Sequence, residues 1–181
     1  LYQGVDYTVD VESDAEVIEK VDSLSRIHDK LFIMFQLQGS HFYYDNFPED
    51  FNKWRPNCKT DKGVTSDSLY INAYDNTILY TDYLLNTMVD SLKTQHAHAV
   101  VWYVSDHGQT ITATQGWHGT GSKEEYHVPL CIWFSECYKN NNPQIIQQLQ
   151  KQILTPINSD NIFYTIYIKK TRANFPSIQK K

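Results

Sequence analysis

The sequence predicts an α/β fold, a three-layer α/β/α sandwich with a mostly parallel sheet, and three observations lead there. Three apolar runs, Leu31–Leu37, Ala99–Val104 and Val128–Phe134, are continuous rather than alternating, as expected of strands buried on both faces. Stretches with helical periodicity separate or follow them, the alternation that builds helix-covered sheets. The chain has 181 residues, 41% hydrophobic and 14% aromatic, which suits one domain spanning residues 1–181 with a substantial core.

Taken in order, the first thirty residues are polar and acidic, and Val17, Ile18, Val21 and Leu24 have weak helical spacing. They predict a surface helix leading into the sheet. Leu31–Leu37 then runs to Gly39 and is expected to be a central strand. After a loop with Pro48 and a short helical stretch around Phe51 to Trp54, the segment from Pro56 to Thr65 is rich in turn formers. Ser66 or Asp67 can cap a long helix running to about Leu92, with Ile71, Tyr74, Ile78, Leu85, Val89 and Leu92 as the stripe that packs on the sheet. Ala99–Val104 and Val128–Phe134 supply two more buried strands, and helices are expected over Asn142–Leu154 and Asp160–Ile168.

Composition excludes several classes of function. With 16 basic against 21 acidic residues, a net charge of -5, there is no basic footprint for nucleic acid. No apolar run approaches the roughly 20 residues that cross a bilayer. The chain begins at Leu1 without a methionine or a secretory leader, as an excised or processed piece would. The 3 cysteines cannot all pair. Cys131 falls inside an apolar run and is expected in the core, which leaves Cys58 and Cys137 as a candidate disulfide.

Open α/β sheets gather their chemistry at the carboxyl ends of strands. The first run ends in Gln38-Gly39-Ser40-His41 and the second in Ser105-Asp106-His107-Gly108. Asp106 and His107 are adjacent, so they face one ion only if the chain turns, a freedom that Gly108 supplies. A carboxylate beside an imidazole suits zinc or manganese. Further on, Gly116-Trp117-His118-Gly119-Thr120-Gly121 sets a histidine among glycines. His41 and His118 are therefore candidate phosphate or metal contacts. His28, His96 and His98 lie on element flanks, and His127, just before the third run, is expected at the opposite end of the sheet from the site.

Read together, Gln38-Gly39-Ser40-His41, Tyr43-Tyr44, Tyr74-Asp75-Asn76-Thr77 with Tyr80 and Asp82, Ser105-Asp106-His107-Gly108, His118-Gly119, Val128-Pro129 and Ser159-Asp160-Asn161-Ile162-Phe163 form an ordered set. That set resembles the lipid A type phosphoethanolamine transferases, in the sulfatase-like branch of the alkaline phosphatase superfamily. The resemblance implies the C-terminal portion of a catalytic domain whose sandwich is incomplete here, because the N-terminal part is absent. It implies a zinc ion, with manganese or calcium less favoured, held by a glutamate, a nucleophilic threonine, Asp106 and His107. His41 and His118 would grip the phosphoryl group. The glutamate and threonine belong upstream of this region, so the isolated chain is expected to be inactive.

The family further implies a phosphatidylethanolamine donor, a lipopolysaccharide or other glycolipid acceptor, and a bacterial inner-membrane parent with this domain in the periplasm, attached through N-terminal segments. Two residues depart from the pattern: Phe42 stands where glycine is common, and Gln109 where an acid is frequent. The Tyr74 to Asp82 motif is expected to be structural. A sulfatase or phosphodiesterase of the same superfamily, or a non-catalytic domain that keeps the fold, are the alternatives.

Overall fold

A computed structural model describes residues 8–61, 66–112 and 116–162, without the side chains of 116 and 117. Two compact units divide the chain after Asn141. The first holds α1 (Asp14–Ile27), a 3-10 turn (Glu49–Phe51), α2 (Asp67–Thr94), β1 (Val100–Val104), β2 (Thr110–Ile111), β3 (Gly116–Trp117), α3 (Lys123–Tyr126), β4 (Leu130–Phe134) and α4 (Glu136–Asn141). The second contains α5 (Pro143–Gln150), with Pro143 at its first turn, where a missing N–H costs nothing. Residues 160–162 are helical, and the rest of the helix expected to Ile168 lies outside the described residues, as do residues 62–65.

α1 starts where Ser13 accepts a hydrogen bond from Glu16 N at 3.3 Å, and it buries Val17, Ile18 and Val21. Those side chains meet Tyr80, Leu84, Met88 and Leu92 of α2, and Ile33, Phe35, Leu37, Val101 and Trp133 pack against the same cluster. Each fully buried aliphatic side chain contributes about 1.5–3 kcal/mol, so this helix pair lying on the strands is the stable part of the unit.

The long helix has the expected bounds but a different buried stripe. Leu69, Ala73, Asn76, Thr77, Tyr80, Thr81, Leu84, Met88 and Leu92 are buried, while Ile71 and Ile78 are each 42% exposed. Polar residues displace isoleucines on the inner face because they have partners there. Asn76 accepts from Lys53 N at 2.8 Å and Trp54 N at 3.0 Å, and donates to Trp54 O at 3.0 Å. Thr77 donates to Ser40 Oγ at 2.7 Å. The structural role expected for the Tyr74 to Asp82 motif takes this form.

The α/β class holds, with corrections to the strands. Leu31–Leu37 is extended but unladdered among the described residues, and it is not buried on both faces: Phe32 is 61% and Met34 84% exposed. Only Ile33, Phe35 and Leu37 turn to the core, the period-two habit of a strand covered on one side. β1 and β4 pair antiparallel, Val100 opposite Phe134 and Val104 opposite Leu130, and β2 pairs antiparallel with β3. The described ladders are thus antiparallel, where a mostly parallel sheet was expected. Cys131 is exposed on β4, not in the core, because its side of the strand has no cover among the described residues. All three cysteines are free, so the Cys58–Cys137 pairing is not formed.

Asn76→Ala would leave the N–H groups of Lys53 and Trp54 without their acceptor and empty a fully buried position. It is expected to lower stability by about 2–4 kcal/mol. Urea unfolding monitored by circular dichroism checks this; a midpoint unchanged from the parent would contradict the assignment.

Candidate active site at the end of β1

The antiparallel register decides what meets at the site. Because Leu130 lies opposite Val104, β4 begins beside the end of β1. The residues that precede β4, α3 and His127, therefore stand at the edge that carries Ser105 to Gly108, and the expected placement of His127 at the far end is corrected.

Ser105 Oγ donates to His107 O at 2.7 Å and Asp106 Oδ1 accepts from His107 N at 3.0 Å, so two short side chains fold the strand end into a tight turn. Gly108 serves that turn by its size rather than by a left-handed backbone. A Cβ there would lie 1.9 Å from Glu124 O. The gap it leaves lets Gly108 N donate to Glu125 O at 2.8 Å.

His107 Nδ1 lies 2.8 Å from Gly108 O, and a carbonyl can only accept, so Nδ1 carries the proton and Nε2 presents a lone pair. That Nε2 is 3.8 Å from Asp106 Oδ1. Two donors bonded to one tetrahedral ion at about 2.1 Å each would sit about 3.4 Å apart, so the pair fits one small cation after a slight adjustment. A carbonyl that takes the proton of one ring nitrogen and so leaves the other free is what metal-binding histidines use. Among the described residues no group of three His, Cys, Asp or Glu is arranged to hold a metal ion. Asp106 and His107 offer two such donors, fewer than a whole ligand set among the described residues.

The structure brings His118 to His107, with ring centroids 3.9 Å apart and planes inclined by 30°. His41 stays one loop away. Its Nδ1 lies 2.8 Å from Phe42 O, which selects the same tautomer as in His107. Gln109 joins its loop to the end of β1: Nε2 donates to Ser40 O at 3.5 Å, and Oε1 accepts from the hydroxyl of Tyr44 at 3.2 Å. Burial pushes the Tyr44 phenol up to about 12, with Tyr74 and Cys58 adding to it, so the hydroxyl remains a donor. Phe42 fits the loop by aromatic packing, edge-on to Tyr44 at 5.5 Å and stacked on Tyr70 at 6.2 Å.

Two carboxylates that sequence reasoning passed over hold these loops. Asp14, 5% exposed, accepts from Gln38 N at 2.7 Å, Gly39 N at 2.9 Å and Asn46 Nδ2 at 2.7 Å, and so fixes the corner before His41. Glu125, also 5% exposed, accepts from Gly119 N at 2.9 Å, Thr120 N at 3.1 Å and Gly121 N at 3.2 Å, and from the Thr120 hydroxyl. Gly119 at φ +88 and Gly121 at φ +81 adopt the left-handed backbone that turns successive N–H groups toward one anion.

Residues 3–168 match the family model described as Sulfatase. The chain belongs to the sulfatase family. Among curated relatives, this sulfatase-family chain is 35% identical over 145 residues to the Kdo(2)-lipid A phosphoethanolamine 7''-transferase of Escherichia coli K12, covering 75% of the chain and 25% of that protein. It is 32% identical over 163 residues to phosphoethanolamine transferase EptA of Helicobacter pylori, covering 84% of the chain and 30% of the relative. Thus it spans about a quarter to a third of the length of these relatives. In fold it resembles the C-terminal periplasmic domain of EptC from Escherichia coli, solved in complex with zinc, at a TM-score of 0.61 and 22% identity over 77% of this chain and 42% of that one. No helix among the described residues of the sulfatase-family chain is long and apolar enough to cross a membrane.

The Thr120 hydroxyl, and then the N–H groups of Thr120, Gly121 and Gly119, hold the Glu125 carboxyl down to about 2 against the upward push of burial. A depressed carboxyl contributes stability that is present above its unfolded value of 4.5 and is lost as pH falls through about 2. The amide resonances of Gly119, Thr120 and Gly121 are therefore expected to titrate together near the lower value in an NMR pH series. A common midpoint near 4.5 would show that the carboxylate is not held by this loop.

Proposed function

We propose that residues 1–181 form the C-terminal portion of a single sulfatase-like catalytic domain. The parent enzyme moves phosphoethanolamine from phosphatidylethanolamine to a lipopolysaccharide or other glycan acceptor. The observation that carries this reading is the convergence of Asp106, His107 and His118 at the end of β1, with Nε2 of His107 3.8 Å from Asp106 Oδ1 and the His118 ring stacked on it at 3.9 Å. The names of the relatives support phosphoethanolamine as the group transferred and lipid A as one acceptor.

Zinc, the metal named in the EptC complex, is the ion we assign to the pair Asp106 and His107, completed by a glutamate and a threonine from upstream; when bound it lowers the pKa of the threonine hydroxyl. The threonine oxygen bonds to the phosphorus of the donor while the bond to the diacylglycerol oxygen breaks, and the proton that the threonine gives up ends on that oxygen as diacylglycerol leaves. The acceptor hydroxyl or phosphate oxygen then displaces the threonine, which recovers a proton. His118 offers an N–H donor to the phosphoryl oxygens as negative charge develops there, and His41, whose Nδ1–H is kept on Phe42 O, does the same from Nε2 in its imidazolium form. Asp106 is 76% exposed at its side chain and His107 29%, so both are open to a ligand arriving from outside the chain. The bare apolar face of Phe32 and Met34 supports a domain whose other layer is supplied by residues beyond this segment. The parent is placed, on the same reading, in a bacterial inner membrane with this domain in the periplasm.

The test is mass spectrometry of the full-length gene product after incubation with zinc and phosphatidylethanolamine. A phosphoethanolamine adduct on a threonine is expected, and none forming would remove the transferase reading. Turnover of an aryl sulfate in its place would move the protein to the sulfatase branch. In the same protein, Asp106→Ala and His107→Ala are expected to abolish zinc occupancy. His118→Ala should keep the metal and slow transfer by about 10²-fold, the loss typical of one transition-state donor. Full zinc content in His107→Ala would refute the ligand assignment.

A further inference from the structure

We infer that Glu125 is a positioning residue of the phosphoryl site, a side chain that sets His118 against His107, and that its carboxylate fills the anion nest of the 119–121 loop so that substrate does not. The inference rests on the phosphoryl-transfer reading for its kinetic consequence and on geometry for its structural one.

Both loops of the site end on this residue. Its carbonyl takes Gly108 N at 2.8 Å, one residue from His107. Its carboxylate takes Gly119 N at 2.9 Å, one residue from His118, together with Thr120 N and Gly121 N. Thr110 Oγ1 reaches the same Oε1 at 3.4 Å, so β2 is tied in as well. Before the loop, β3 is paired with β2, and within it the Thr120 hydroxyl also accepts from Ser122 N at 3.3 Å, but the successive N–H groups of residues 119–121 are held by Glu125. A Cβ built on Gly119 or Gly121 would meet nothing within 4 Å, and residues 118–121 are exposed. Exposed backbone with two left-handed glycines is ordered by its hydrogen bonds, and three of its successive N–H groups share one carboxylate.

The chemistry excludes a second reading of the same loop. Glycine-rich N–H groups are a ready cradle for a phosphate. Here the cradle is occupied from within by a buried carboxylate, and a phosphate beside it would meet like charge. The loop therefore serves the phosphoryl group through the His118 ring and not through its amides.

Glu125→Gln in the full-length protein tests this. The amide keeps the shape but turns one acceptor into an NH₂ group facing N–H donors, so the loop should loosen while the backbone bond to Gly108 remains. We expect kcat for phosphoethanolamine transfer to fall about 10- to 100-fold, the cost of a catalytic group displaced by about 1 Å. KM should stay within about twofold and zinc content should be unchanged. Independently of turnover, the ¹³C-labelled His118 ring resonances should shift as the stacking on His107 is lost.

Thr120→Val, which removes the hydroxyl that donates to Glu125 and accepts from Ser122 N, should show a smaller loss of kcat in the same direction, and Thr120→Ser should restore it. Should Glu125→Gln fail to fold, as judged by its melting transition, the Thr120 pair decides. If wild-type protein transfers nothing while the His118 resonances still move in Glu125→Gln, the transferase reading fails and the positioning role stands. Unchanged kcat with unmoved His118 resonances would overturn the inference, and so would loss of zinc in place of loss of kcat.

Discussion

Where Gly108 N–H donates to the carbonyl of Glu125 at 2.8 Å, two stretches of chain that meet at one sheet edge are held closer than any side chain on residue 108 would permit. The contact exists because β4 runs back beside β1, which delivers α3 to the place where β1 ends. Everything at the site follows from that approach. The turn at Asp106 and His107 gains a backbone anchor, the carboxylate of the same glutamate reaches the next loop, and two histidines far apart in the fold's local geometry come to stack. A larger residue at 108 would push α3 away and release both loops at once.

Behind this contact lies a division of labour between apolar and polar burial. The α1–α2 pair supplies the rigid body through Val17, Ile18, Val21, Leu84, Met88 and Leu92. Its buried polar residues do not add to that core; they reach out of it. Asp14 holds the backbone of Gln38 and Gly39, Thr77 holds Ser40, and Asn76 holds Lys53 and Trp54. Loops without packing of their own are thereby referenced to the helices, and a buried acceptor that satisfies two or three backbone donors offsets its own desolvation. This is why the inner face of α2 spends positions on asparagine and threonine that isoleucine could have filled.

The parts of the fold that depend on short-range pattern were legible in the sequence. Ser66 and Asp67 marked the start of α2, the apolar run before Ser105 marked β1, and the histidine-bearing corners stood out because polar residues and glycines end apolar runs. What was not legible depends on partners distant in sequence. Direction of pairing is invisible in a strand such as Leu130–Phe134, whose apolar residues would suit either neighbour orientation, and the misplacement of His127 followed from it. Continuous apolarity in Leu31–Leu37 could not show that one face would be bare. Asp14 and Glu125 look like ordinary first-turn helix acids, and only the loops folded onto them reveal acceptors of three or more bonds. A Gly-x-Gly loop followed closely by an acid, as in Gly119 to Glu125, was the one local signal on offer.

Gln109 shows how the frame and the reacting groups are kept electrically separate. A carboxylate in its place could accept from Tyr44 but could not donate to Ser40 O, and it would add negative charge beside Asp106. The amide does both jobs without charge. The groups that build the frame likewise keep one protonation state over a wide range, Glu125 held down to about 2 and Tyr44 pushed up to about 12. The hydrogen bonds that aim the histidines at this edge therefore rest on groups of fixed charge, and the loops are positioned by residues other than the histidines they carry.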